Sequence, residues 1–171
     1  LIVKDDEKYK AKIKIRGTFL EHIRSDKWSF RINMKGDNTL FGMERFSISS
    51  PETRNHIHEW LFQRALLNEG LINLRYEFVK VKLNGKNLGI YAIEELFDKR
   101  LIENNKLREG IIVKPMLKDS TGDISVYQKN KTFSSNSLNL SFTNFTKKIN
   151  EFKNSNLEAS AVFDIEKSAK Y

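Results

Sequence analysis

The chain has 171 residues, 39% of them hydrophobic, and a formal net charge of +8. That length suits one domain with a real core, and no apolar run approaches the roughly 18 residues a membrane span needs. The absence of cysteine excludes disulfides, thiolate zinc sites and cysteine nucleophiles together.

A basic surface suits nucleic acid, an anionic membrane or a phosphate-bearing ligand. Here the charge is spread along the chain, the bland reading being a solvated surface, and no nucleic-acid module motif accompanies it. No signal peptide is legible, since Leu1-Ile2-Val3 runs at once into KDDEKYK. The first residue is not Met, so the chain reads as a piece of a larger protein.

Residues 8–16, KYKAKIKIR, alternate cleanly and predict a half-buried strand, with Tyr9, Ala11, Ile13 and Ile15 inward. Arg16-Gly17-Thr18 breaks it. Residues 27–34, KWSFRINM, alternate again, with Trp28, Phe30, Ile32 and Met34 on one face. Phe46 and Ile48 mark a third strand. Ser50-Pro51-Glu52 predicts a helix start, because serine can cap and proline loses nothing at the first position. That helix runs to a glycine cap at Gly70, with Ile57, Trp60, Leu61, Leu66 and Leu67 as a broad apolar face.

Residues 75–100 read as a hairpin with an acidic exit. Asn84-Gly85 predicts a two-residue primed turn, which needs positive φ at both central positions. Val79, Val81 and Leu83 alternate on the way in, and Leu88, Ile90 and Ala92 on the way out. Tyr76 and Phe78 on the other phase make the first strand two-sided or bulged. The second strand ends at Glu94-Glu95, of which at least one carboxylate is expected at solvent or a cleft. Asp98 then caps a short helix, and GIIVK from Gly110 is a buried strand. Residues 118–146 are rich in Ser, Asn and Thr and predict an irregular excursion. A helix over 142–153 and a second, led by Asp164, follow.

The fold class expected is α+β: a mostly antiparallel sheet with a long helix between the third and fourth strands, in the element order of a kinase small lobe, truncated before the large lobe. Three regions are expected: 1–117 as the sheet region, 118–146 irregular, and 147–171 as the helical start of a second lobe. His56 and His58 point about 200° apart on a helix and cannot chelate together. His58-Glu59 also lacks the second histidine of the zinc-protease motif, since position 62 is Phe62. Glu59 and Lys114 can be read as cleft residues, but a solvated helix carboxylate and a charged strand end are the simpler accounts.

The string LNGKNLGIYAIEELFDKRLIE resembles the signature of the CotH family, the spore-coat-protein-H-like atypical protein kinases. The matching positions are Asn84, Gly85, Gly89, Ile90, Tyr91, Glu95, Phe97 and Asp98. The resemblance extends to Arg16-Gly17, to Lys27, Ser29, Phe30 and Arg31, and to Arg54, Trp60 and Gly70-Leu71. It continues in REGIIVK at 108–114 and VFDIEKSAKY at 162–171.

The resemblance implies the nucleotide-binding part of a kinase that uses ATP and Mg to phosphorylate serine or threonine of protein partners. Arg16, Lys27, Arg31 and Glu95 are its implied nucleotide-binding residues, with Glu95 preferred to Glu94 by its spacing from Tyr91. Two registers fit: Arg16-Gly17 is the phosphate loop, or it follows a loop that precedes residue 8. The family's catalytic acids lie beyond VFDIEKSAKY, so no catalytic residue is expected in this span, the metal ligands are unknown, and the piece alone is expected to be inactive. Partners implied are a protein substrate or a spore-coat or envelope component, with no nucleic acid. Self-association through a truncated face is also expected. A bacterial, surface or secreted setting is favoured over the cytoplasm. The rival readings are a non-catalytic surface or envelope domain binding an acidic partner, and a general polyanion-binding domain.

Overall fold

The computed structural model describes residues 1–16, 27–115 and 124–171. These fall into two compact units, Leu1–Leu96 and Phe97–Tyr171, the first ending inside the region expected over 1–117. The fold is α+β with a mostly antiparallel sheet. The glycine break at Gly17 and the start of the polar excursion lie outside the described residues. No helix among the described residues is long and apolar enough to cross a membrane.

In the first unit, β1 (Ile2–Lys4) and β2 (Glu7–Tyr9) form an antiparallel hairpin. A five-stranded sheet follows, made of β3 (Ala11–Ile15), β4 (Phe30–Met34), β5 (Arg45–Ser49), β6 (Tyr76–Leu83) and β7 (Lys86–Glu95). Its order is β3-β4-β5-β7-β6, with every pair antiparallel. Helix α1 (His58–Asn68) lies between β5 and β6 in the chain. Because successive strand residues face opposite ways, one face collects Ile32, Met34, Phe46, Ile48, Tyr91 and Ile93 into the core, closed by Leu40 and Met43.

The strand expected over 8–16 is interrupted at Lys10, whose carbonyl accepts from the Lys35 amide at 2.9 Å. Ile13 and Ile15 stay half-exposed because β3 is the sheet edge. Trp28 precedes β4 and is also half-exposed. The helix start expected at Pro51 is a 3-10 turn, Pro51–Arg54, without a side-chain cap from Ser50. Asn55 and His56 then take positive φ, 49° and 62°, which ends the turn and delays α1 to His58. The buried face of α1 is narrow, with only Gln63 and Leu66 buried. Gly70, at φ 68°, closes the helix as expected: its amide and that of Leu71 donate back to Leu67 and Leu66.

The primed turn is present, with Asn84 at φ 49° and Gly85 at φ 82°. The alternation expected after it is not. Val81 pairs with Gly89 but Lys82 with Asn87, so Leu88 is an extra residue. Gly89 takes φ 79° and its amide donates to Asn87 Oδ1 at 2.9 Å. A bulge of this kind changes the phase of the strand. Tyr91 and Ile93 therefore enter the core, Ile90 is half-exposed, and Ala92 is buried on the opposite face.

The second unit holds α2 (Lys99–Asn104), β8 (Val113–Pro115), β9 (Ile124–Val126), α3 (Lys129–Ser134), α4 (Asn136–Lys153) and α5 (Ile165–Lys170). β8 and β9 pair antiparallel. Asp98 caps α2 by accepting from the Arg100 amide at 2.9 Å, and Asp164 caps α5 through the Lys167 amide. That bond lowers the pKa of the Asp164 carboxyl. The irregular structure expected over 118–146 is replaced from residue 124 onward by β9, α3 and α4, and 118–123 lie outside the described residues. The polar residues of α4 satisfy themselves within the helix: Ser141, Thr143 and Thr146 donate back to the carbonyls of Ser137, Asn139 and Phe142. Leu138, Phe142, Phe145, Ile149 and Phe152 form its partly buried stripe.

Candidate functional site on the polar sheet face

The face of the first unit's sheet opposite the core carries one residue from each strand in a single row. Lys14 opposes Arg31, Arg31 opposes Ser47, Ser47 opposes Glu94, and Glu94 opposes Tyr76. Beside the row lies a floor of small side chains. Ser29, Ser47, Ser49 and Ala92 are all buried, so groups above them approach the backbone closely.

Arg16 leaves β3 by donating its amide to the Ser29 carbonyl at 2.8 Å. Its guanidinium then crosses the floor. Nη1 donates to Ser47 Oγ at 2.7 Å and to Glu94 Oε2 at 2.9 Å, and Ser47 Oγ donates to the same carboxylate oxygen at 3.3 Å. Arg54, delivered by the 3-10 turn, places Nη2 3.9 Å from the other oxygen, Glu94 Oε1. Burying a carboxylate is costly unless it is paired and hydrogen-bonded, and here two arginines and Ser47 surround it.

Tyr76 ends the row. Its ring is buried, and its hydroxyl has no hydrogen-bond partner among the described residues. Burial first, and then the negative charges of Glu94 and Glu59, push the phenol up to about 12. Glu59 accepts from Gln63 Nε2 at 2.8 Å, and Gln63 Oε1 accepts from the Leu74 amide at 2.7 Å. This pair ties α1 to the chain entering β6. Glu59 forms no ion pair among the described residues.

Of the four residues implied by the resemblance, the structure brings Arg16 and Arg31 to this face. Arg31 is exposed, and its side chain forms no ion pair or hydrogen bond among the described residues. Lys27 stands at the bulge, where Nζ donates to the Ile90 carbonyl at 3.5 Å. Glu95 lies on the opposite face, only 1% exposed. There Arg75 Nε and the Arg75 amide donate to its Oε2 at 3.0 and 3.2 Å, and Arg75 Nη2 pairs with its Oε1. Arg75 Nη1 also donates to the Phe41 carbonyl at 3.3 Å, so Glu95 fixes the entry of β6 to the 40–43 turn. Of the solvent or cleft expected for at least one of the two carboxylates, solvent is not what either meets. Both are buried, one on each face, and each is neutralised by arginine.

Sequence reasoning weighed Glu94 and set it aside, and gave Ser47 and Tyr76 no role at the site. Alternation alone says that Glu94 and Glu95 face opposite ways. Which of them faces Arg16 depends on the bulge at Gly89. His56 and His58 join no metal site: no three His, Cys, Asp or Glu groups converge among the described residues. Lys114 lies in the second unit, with Nζ over the Tyr127 ring at 5.3 Å.

Compared with known protein families, residues 13–171 match the family model described as CotH kinase protein. No curated protein matches the chain.

Proposed function

Because this chain belongs to the CotH kinase protein family, we propose that the polar sheet face is the nucleotide-binding part of an atypical protein kinase. In the whole protein it holds ATP for transfer of phosphate to serine or threonine of partner proteins. The observation that carries the reading is the row itself. Arg31 is an exposed cation without a carboxylate partner among the described residues, next to an arginine that Glu94 holds over a floor of small residues.

Guanidinium groups suit phosphate because their planar donors match its oxygens in pairs. Arg31 and Arg16 are the proposed phosphate contacts, and Lys27 adds a point charge from the bulge side. Cations fixed in place before the reaction stabilise charge on the transferred group without reorganising. Glu94 is a positioning residue acting through Arg16. Glu95 supports the site from the far face, through Arg75. The described residues supply cations and not a metal cage, so they do not fit a protein-held Mg²⁺. In this reading Mg²⁺ arrives on the nucleotide, as its phosphates commonly carry it.

Titration calorimetry of ATP–Mg²⁺ into the full-length protein tests the reading. Arg31→Ala and Lys27→Ala are each expected to weaken binding about tenfold, or 1.4 kcal/mol. A folded protein that binds no nucleotide would sink it, and would favour the non-catalytic domain with an acidic partner.

A further inference from the structure

The edge strand β3 combines three features that point to one kind of partner. Among the described residues it pairs only with β4, so the outer row of its backbone groups is unpaired. On one face it leaves Ile13 45% and Ile15 55% exposed. On the other face Lys12 and Lys14 are exposed, and neither side chain makes an ion pair or hydrogen bond among the described residues. Lys14 also stands directly opposite Arg31, and like charges across a strand pair destabilise it.

We propose that β3 is a docking edge for an extended segment of a partner protein in which acidic and apolar residues alternate. Added as a sixth strand, such a segment meets Lys12 and Lys14 with its acids and covers Ile13 and Ile15 with its apolar side chains. Backbone hydrogen bonds supply affinity and the alternation supplies specificity. An acid beside Lys14 also relieves its repulsion with Arg31. The proposal does not depend on nucleotide binding.

The opposite edge, β6, is a poorer candidate. Val79 and Val81 already pack against the core, and its register is broken by the bulge. A second copy of this chain is also disfavoured on β3, because strand-to-strand pairing would set Lys12 and Lys14 against the same lysines. A bare phosphate backbone would use the lysines and leave Ile13 and Ile15 uncovered. Lysines on an edge can simply guard it against pairing. That role predicts no binding, which the experiment reads directly.

The test is fluorescence anisotropy with a labelled peptide alternating valine with glutamate, as long as β3 plus a residue at each end. The expected result is binding that falls at least about tenfold when the same residues are shuffled to bring the acids together. A proline at the peptide's centre is expected to abolish it, because it removes a ladder donor. Lys12→Glu/Lys14→Glu should lose this peptide and gain one alternating valine with lysine. If the reversed variant does not fold, the shuffled and proline peptides on the unchanged protein decide alone. Absence of binding overturns the proposal. So does equal binding of the shuffled peptide, or equal competition by heparin, since both mark a simple polyanion patch.

Discussion

Removing the Arg75 guanidinium should unfold the first unit far more readily than removing the charge it faces. Glu95 is 1% exposed, whereas the Arg75 side chain is 23% exposed. Arg75→Ala removes two charge-assisted side-chain bonds to the carboxylate, each about 1.5–3 kcal/mol. Among the described residues it leaves the buried carboxylate holding only the Arg75 amide at 3.2 Å. Breaking a buried pair from one side costs about 3–5 kcal/mol, and the two lost bonds together give an overlapping range of about 3–6 kcal/mol. Glu95→Gln keeps an acceptor and removes the charge, while Arg75 can turn to solvent, so about 1–3 kcal/mol is expected. Replacing both residues by methionine should cost clearly less than Arg75→Ala, since neither partner is then stranded. The assay is urea unfolding followed by tryptophan fluorescence. Both tryptophans, Trp28 and Trp60, lie in the first unit, so the signal reports that unit. An Arg75→Ala cost below that of Glu95→Gln would refute the reasoning.

Tyr76→Phe removes a buried hydroxyl that has no partner among the described residues, so stability at neutral pH should be unchanged or higher by up to about 1 kcal/mol; a loss above that would contradict the account. The pH dependence has a definite sign. The folded phenol titrates at about 12 against an ordinary 10.0, so its contribution is fully present below pH 10 and is lost as pH rises through about 12. Unfolding of the parent protein and of Tyr76→Phe across that window should therefore diverge, the variant gaining on the parent as pH rises, with phenolate absorbance locating the titration. Gly89→Ala tests the bulge: at φ 79° a side chain costs about 1–2 kcal/mol, measured by the same urea unfolding. A neutral result would mean that the phase change does not depend on the glycine.

Much of this architecture was written in short-range pattern. The alternation of KYKAKIKIR and KWSFRINM yields β3 and β4, Asn84-Gly85 yields the turn, and Gly70 and Asp98 mark helix ends. These signals are local, because each depends on a few neighbouring φ, ψ and side-chain directions. The misreadings have equally local causes. Ser and Thr in α4 resemble loop composition until their hydroxyls are seen returning to the helix's own carbonyls. Asn55 and His56 gave no sign that their positive φ would cut the expected helix short.

The candidate site divides along the same line. The sequence by itself determined that a basic strand face exists, with Arg16 and Arg31 on it, and that two adjacent carboxylates must face opposite ways. It also carried enough of an ordered pattern to point to the family. Only the tertiary structure decided that Glu94, and not Glu95, meets Arg16. That choice depends on one extra residue at Leu88, which inverts the phase of β7, and on a strand order that sets β5 against β7. Pairing across strands distant in sequence is a property of the assembled sheet, and no window of neighbouring residues contains it.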